Sequence, residues 1–169
     1  MSDSRGVQWT GAIASALAGA LIALGSIAPA WWSGGADGRE MGVGLRAVEL
    51  CGSLGCASRG LDGLGGASTA WPRLGAIGFP LGIVTAVFLV AAAAAVVLAR
   101  GSRWTARLGL IGAGMALAAL GIGSGFAWFY PGFDGIGAGW AMAAYLGGAA
   151  IGVGAGGLLI AGAASRPAS

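Results

Sequence analysis

The most distinctive chemistry in this sequence belongs to Cys51 and Cys56, which lie in the polar segment 44–56 between long apolar runs. Their spacing is not the Cys-x-x-Cys of thiol redox enzymes, lacks the following His of haem attachment, and does not match paired zinc-site spacing. Residues 43–50 alternate with a period of two, and Gly-Ser-Leu-Gly at 52–55 is typical of a turn, which together predict a β-hairpin. In an oxidising compartment this hairpin favours a disulfide; the alternative is two free thiols.

Few other side chains are suited to catalysis. The chain has no histidine, so it lacks the commonest metal ligand and general base. Glu49 and Asp62 would form an acid–base pair only if they came within hydrogen-bonding distance of each other. The sequence therefore predicts no catalytic residue, no metal and no cofactor.

The composition is that of a membrane protein. Only 9 % of the residues are charged, against about 25 % in soluble domains, and the mean hydropathy is +0.84. The net charge of +3 comes from dispersed arginines, without the basic patch that nucleic-acid binding needs. We therefore expect membrane lipid, not nucleic acid, around this chain.

Four runs lack charged residues, namely 6–36, 74–99, 108–133 and 135–165, and each exceeds the roughly 20 residues that cross a bilayer as a helix. They predict an all-α membrane protein, a four-transmembrane-helix bundle forming one domain over residues 1–169. The expected helices are 9–30, 74–99, 105–129 and 138–162, with a first outer loop at 31–73. A cleaved signal peptide ending at the Ala-Pro-Ala of 28–30 is the alternative for the first helix, but its apolar run is longer than a signal needs.

Arginine placement predicts the orientation. Arg100, Arg103 and Arg107 lie in the short connection between helices two and three, and short arginine-rich connections stay cytoplasmic. Both termini are then cytoplasmic, loop 31–73 is periplasmic or extracellular, and the membrane is the plasma (bacterial inner) membrane. The inverted topology is the alternative, because Arg39, Arg46, Arg59 and Arg73 lie on the outer side.

Tryptophan and tyrosine prefer the headgroup level of a bilayer. We expect Trp9 and Trp104 at the inner interface. At the outer interface we expect a belt of aromatic residues: Trp31, Trp32, Trp71, Trp128 and Tyr130.

Small residues recur every four positions in three of the predicted helices, where they let helix backbones approach closely. These helix-packing residues are Gly11, Ser15, Gly19, Gly121, Gly125, Gly148, Gly152 and Gly156. They serve either packing within the bundle or a docking face for another membrane subunit.

The first outer loop contains, in order, a tryptophan (Trp31 or Trp32), Gly44-Leu45 and the two cysteines. This order, in a chain of four spans with a long first and a short second outer loop, resembles the claudin-like four-transmembrane family. Arg46 stands where that family has Trp. The resemblance implies a small outer β-sheet, a Cys51–Cys56 disulfide and a left-handed four-helix bundle. It implies adhesion, barrier or accessory-subunit work rather than catalysis.

Three functional hypotheses follow. The first is a non-enzymatic accessory or scaffolding subunit that binds other membrane subunits, or itself, through its helix faces and outer loop. Its predicted partner-binding residues are Trp32, Leu45, Arg46 and Glu49. The second is a small-molecule or lipid carrier or channel with a cavity between the glycine-rich third and fourth helices. The third is an enzyme with a lipid substrate that uses Glu49 and Asp62.

Overall fold

The computed structural model describes residues 3–36, 39–63, 69–99 and 103–164. Of the sequence predictions, those on Arg100 and on residues 64–68 of the outer loop lie outside these ranges. The elements in chain order are α1 Asp3–Ile27, β1 Trp32–Ala36, β2 Arg39–Val43, β3 Ala47–Gly52, β4 Gly55–Gly60, a 3₁₀ turn Leu61–Gly63, α2 Ala70–Ala99, α3 Arg103–Trp128, β5 Ile136–Ala138 and α4 Trp140–Ala164.

The four predicted helices are confirmed, and each is long and apolar enough to cross a membrane. Prolines account for several of their ends. Pro29 disfavours helical geometry at Ala28, so α1 ends at Ile27 rather than at residue 30. Pro72 falls in the first turn of α2, where its missing N–H costs nothing, and α2 begins at Ala70 rather than at residue 74.

The helices form a ring in which α1 packs on α2 and α4, and α3 packs on the same two neighbours. Glycines bring the α4 backbone close to both neighbours. A β-carbon on Gly148 would lie 3.0 Å from the Ala18 carbonyl oxygen of α1, and one on Gly156 would lie 2.6 Å from the Gly109 carbonyl oxygen of α3. This close approach is how small residues increase dispersion contacts between helices in lipid.

The other predicted packing residues divide between helix contacts and open surface. Gly11 lies against Leu159 of α4, Gly19 against α2, and Gly152 between Leu89 and Ala116. Ser15 is fully buried, and its hydroxyl has no hydrogen-bond partner within the described residues. Gly125 is in ordinary contact with Leu74, whereas Gly121 has open space where a side chain would be.

A five-stranded antiparallel sheet with the order β4-β3-β2-β1-β5 lies at one end of the ring, here called the sheet end. It begins where α1 and α3 finish, at Ile27 and Trp128. Four strands come from the connection between α1 and α2, whereas β5 comes from the connection between α3 and α4 and pairs with β1. The sequence predicted the hairpin of β3 and β4 but not β5.

One predicted strand boundary was wrong. The alternation over residues 43–50 predicted a single strand, but β2 ends at Val43 and β3 begins at Ala47. The Gly44 N–H donates to the Ala47 carbonyl oxygen at 2.9 Å and closes a turn between them. A β-carbon on Gly44 would lie 3.1 Å from the Ala28 carbonyl oxygen, so only a residue without a side chain fits comfortably here.

The neighbouring glycines Gly156 and Gly157 test the packing of α3 against α4. A β-carbon on Gly156 would meet that of Ala113 at 2.5 Å, whereas Gly157 has nothing within 4 Å. We expect Gly156→Ala to lower stability by about 1–3 kcal/mol, the usual cost of overpacking. Gly157→Ala should leave stability unchanged or raise it by up to about 1 kcal/mol through helix propensity. The measurement is the thermal unfolding midpoint in detergent, and equal midpoints for the two variants would contradict the packing.

Candidate functional site

The register of the sheet gives it two chemically different faces. Trp32, Val43 and Val48 lie side by side on adjacent strands and are all buried, so this face packs toward the helices. The opposite face, here called the polar face, consists of two cross-strand rows. One row is Ser33, Gly42, Glu49 and Ser58, and the other is Gly35, Glu40, Cys51 and Cys56.

An aromatic core joins the helix-facing side of the sheet to the bundle. Trp32 stacks on Tyr130 at 4.2 Å between ring centroids, and Trp71 stacks on Phe126 at 5.1 Å. Trp32 and Phe126 are themselves 5.2 Å apart, so the two stacks form one cluster. Such aromatic pairs contribute about 0.5–1.5 kcal/mol each beyond the area that they bury.

Two indole N–H groups also satisfy carbonyls at helix ends. Trp31 donates to the Gly25 carbonyl oxygen at 2.6 Å, and Trp71 donates to that of Phe126 at 3.1 Å. Both carbonyls belong to the last turn of their helices, where no intrahelical N–H is available. Trp31, the residue before β1, therefore caps α1, and Trp71 of α2 caps α3.

The aromatic core corrects the prediction that these tryptophans form a belt at the outer membrane interface. Trp31, Trp32 and Trp71 are buried in protein and cannot lie among lipid headgroups. Trp128 is 86 % exposed at the sheet end. Trp140, which was not among the predicted interfacial residues, is also exposed there. Trp9 and Trp104 are exposed toward the opposite end, as expected for interfacial residues.

The four predicted partner-binding residues occupy different environments. Trp32 and Leu45 are 5 % and 1 % exposed, so their side chains belong to the core instead of a contact surface. Arg46 is exposed, with its guanidinium 4.8 Å from the centre of the Phe79 ring. Glu49 is half-buried on the polar face. The structure therefore leaves Arg46 and Glu49 on the surface.

The predicted disulfide between Cys51 and Cys56 is present, so neither thiol is free. The two residues face each other across β3 and β4, with their Cα atoms 4.0 Å apart. Gly55 has a φ of 117°, a left-handed conformation that glycine adopts readily, and it closes the turn. The cross-link therefore lies one residue pair from the tip of the hairpin.

A cleft beside the sheet, here called the polar cleft, has a volume of about 950 Å³. Its lining includes Ser33, Glu40 and Glu49 of the polar face, Arg39 and the Pro29 segment. A β-carbon on Gly42 would strike the Pro29 carbonyl oxygen, which shows how closely that segment crosses the face. Within the described residues Glu40 and Glu49 form no ion pair, so both carboxylates are available to a partner.

No three Cys, Asp or Glu side chains converge as a metal cluster among the residues that the structure describes. Asp62, the suggested partner of Glu49 in catalysis, lies in the 3₁₀ turn and does not line the polar cleft. Burial raises the pKa of the Tyr130 phenol. The N–H of Phe133 donates to the phenol oxygen and opposes this effect, but the pKa remains raised, so Tyr130 stays neutral.

The predicted partner-binding residues did not include Ser33 and Glu40, which line the polar cleft. The alternation of side chains in Arg39–Val43 could have indicated the position of Glu40. Successive residues of a strand point to opposite faces, so Glu40, three residues before the buried Val43, lies on the face opposite to it. Ser33 lies in the glycine-rich β1, which has no clear alternation.

No protein-family model matches the sequence, and no curated protein is significantly similar to it. The candidate site therefore rests on the geometry of this chain alone.

The disulfide can be tested with Cys51→Ser/Cys56→Ser. Because the closed loop is short, we expect a loss of about 2 kcal/mol of hairpin stability. Amide hydrogen exchange should become faster in β3 and β4 and stay unchanged in the helices, because the aromatic core does not involve these cysteines. Ser58→Ala, a neighbouring change on β4, serves as the control. Loss of protection throughout the helices would show that the cross-link stabilises more than the hairpin.

Proposed function

We propose that this chain is a non-enzymatic integral membrane protein that acts as an accessory or scaffolding subunit and binds a protein partner through the polar face of its sheet. The observation that carries the proposal is the attachment of that sheet. An aromatic core and the hydrogen bond from the Trp31 indole, next to β1, to the Gly25 carbonyl of α1 fix one face to the helix ends, and the opposite face keeps unpaired carboxylates. Rigid presentation lowers the entropic cost of binding a partner.

The membrane environment is supported by the surface of the helices. Large apolar side chains on all four helices are exposed, including Leu17, Val87, Leu117 and Ile151. Contiguous apolar surface of this extent is rare on soluble monomers. Lipid is the environment in which such a surface is stable.

Two independent features support an orientation with the sheet outside the cytoplasm. Disulfides persist in oxidising compartments such as the periplasm or the cell exterior, and Cys51–Cys56 lies in the sheet. Arg103 and Arg107 begin α3 at the opposite end, where cytoplasmic arginines are expected. Both termini are then cytoplasmic, and a bacterial inner membrane fits this arrangement. The claudin-like resemblance points the same way, because it implies an outer sheet with this disulfide.

The charge of the polar face suggests the chemistry of the partner. Glu40 and Glu49 lie on adjacent cross-strand rows, a diagonal separation of about 7–8 Å in antiparallel sheets. Two carboxylates and one guanidinium, that of Arg39, line this cleft. The excess negative charge favours a partner with basic side chains, and charge complementarity of this kind gives specificity and a faster association rate. We therefore expect a basic segment of a membrane protein subunit in the polar cleft.

The carrier or channel hypothesis gains no support from the glycines on which it relied. It needs space between α3 and α4, but Gly109 lies against Leu159, and Gly123 against Tyr145. Leu89 reaches both Gly112 and Gly152. These side chains fill the places that glycine leaves.

The orientation can be tested with lysine labelling, because all nine basic residues of the chain are arginines. Leu54→Lys places one amine at the fully exposed hairpin tip, and Arg103→Lys places one at the opposite end. A membrane-impermeant amine reagent applied to intact cells should label Leu54→Lys and not Arg103→Lys. The unmodified chain reports the background from the N-terminal amine. Labelling of Arg103→Lys alone would invert the orientation.

The partner proposal can be tested by charge reversal. We expect the chain to migrate from native membranes in an assembly larger than itself, and Glu40→Lys to release it because a basic partner is repelled. Asp62→Lys is the matched control, since it makes the same charge change on an exposed residue outside the polar cleft. Native electrophoresis after gentle detergent extraction gives the readout. Assembly retained by Glu40→Lys, or lost equally by both variants, would contradict this role of the polar face.

A further inference from the structure

A second cleft lies at the membrane-facing edge of the sheet, between the end of α1 and the side of α2. This arginine groove has a volume of about 470 Å³. Its polar lining consists of Ser26, Arg46, Glu49, Ser58 and Arg59, and its apolar lining includes Ile27, Leu45 and Phe79. One cleft thus combines a cationic rim with an apolar floor, which is an amphipathic arrangement.

The cationic rim is available to a ligand. Arg46 and Arg59 are both exposed, and neither forms an ion pair within the described part of the chain. The Arg46 guanidinium rests over the Phe79 ring at 4.8 Å, a cation–π contact that leaves the in-plane N–H donors unused. Arginine forks of this kind match phosphate oxygens in geometry and charge.

The apolar floor continues down the bundle. Ile27 is 68 % exposed beside the groove. Val90 lies eleven residues beyond Phe79 on α2, about three helical turns or roughly 16 Å, so both side chains lie on one stripe. Val90 is also exposed. Its Cγ2 lies 3.0 Å from where a β-carbon of Gly19, on α1, would be, so the stripe follows the seam between α1 and α2. This seam has the length and character to hold an acyl chain.

The groove lies at the height of the interfacial tryptophans. A β-carbon on Gly25, near the end of α1, would meet the Ala141 carbonyl oxygen at 2.6 Å. The start of α4, with its exposed Trp140, is therefore level with the last turn of α1. Ile27, also in that turn, lines the groove. Exposed tryptophans at helix ends mark the headgroup region of a bilayer, so the arginines are where lipid phosphates would be.

Glu49 and Ser58 also line the arginine groove. These two residues face each other on β3 and β4, and Glu49 is without an ion-pair partner among the described residues. A carboxylate that lines the same groove as two guanidinium groups complements a headgroup that carries both a phosphodiester and an ammonium group. Phosphoethanolamine carries this pair of charges, and the N–H groups of its primary ammonium can donate hydrogen bonds to a carboxylate.

We propose that the arginine groove binds one phosphatidylethanolamine molecule. Arg46 and Arg59 hold its phosphodiester, Glu49 accepts hydrogen bonds from its ammonium group, and one acyl chain lies along the seam between α1 and α2. This site is separate from the α3–α4 cavity of the carrier hypothesis. It shares Glu49 with the polar cleft, whose partner-binding role then rests on Glu40, and it goes beyond the protein-partner proposal because the bound lipid would fix the depth of the sheet relative to the membrane.

The test is native mass spectrometry of the detergent-purified chain with added lipids. We expect one phosphatidylethanolamine retained per chain, weaker retention of phosphatidylglycerol, which lacks the amine, and no retention of diacylglycerol. Arg46→Gln should reduce retention by about tenfold, because it removes a charge-assisted interaction. Arg73→Gln is the matched control, since Arg73 is exposed at the same end and does not line the groove.

Several outcomes would overturn the proposal. One is that Arg46→Gln and wild type retain the lipid equally, and another is that inorganic phosphate alone displaces it. The proposal would also fail if diacylglycerol were retained as strongly as phosphatidylethanolamine, or if phosphatidylglycerol bound more tightly. If Arg46→Gln does not fold, wild-type protein can be photolabelled with phosphatidylethanolamine that carries a diazirine in its acyl chain. Adducts should map to the peptides of Ile27 and Phe79, and adducts confined to α3 and α4 would refute the site. Glu40→Lys should retain the lipid, which separates this test from that of the protein partner.

Discussion

The contact between the sheet and the helix ends is the interaction on which the rest of the structure depends. A sheet of five strands with a polar face cannot bury enough apolar surface by itself, because small sheets need a partner layer. Trp32, Trp71, Phe126 and Tyr130 supply that layer from both connections and two helices. The indole of Trp31, the residue before β1, also satisfies a last-turn carbonyl of α1, so the sheet is attached where that helix ends. Both clefts exist only because the sheet is held in this way.

The helices could be predicted from sequence because the hydrocarbon layer imposes a one-dimensional constraint. A run without charge that exceeds the bilayer thickness has few alternatives to a helix, and each of the four runs contains most of one long apolar helix. The β3–β4 hairpin was also local, since its turn and both cysteines lie within a few residues of one another. β5 was not predictable in this way, because its three residues pair with β1, which lies far earlier in the chain.

The tryptophans show where sequence reasoning reaches its limit. An indole needs an apolar environment for its rings and one acceptor for its N–H, and a lipid interface and a protein core both provide these. Trp31 and Trp71 found helix carbonyls, whereas Trp128 remains exposed at the same end. The glycines are equally ambiguous, because Gly121 and Gly148 share the same four-residue spacing. Only the second contacts another helix. Period and residue type identify a candidate face, but the neighbouring element decides what covers it.

The position of the disulfide follows from the same dependence. β1 carries Trp32 and is the strand closest to the aromatic core, whereas β4 is the farthest strand in that direction and every one of its residues is exposed. No apolar burial holds β4, so its register depends on backbone hydrogen bonds to β3 and on Cys51–Cys56. A slip of one residue would move alternate side chains to the opposite face. It would remove Ser58 from Glu49 and change the charge pattern of both clefts. The covalent bond therefore lies where packing is weakest, and it keeps the surface residues in register.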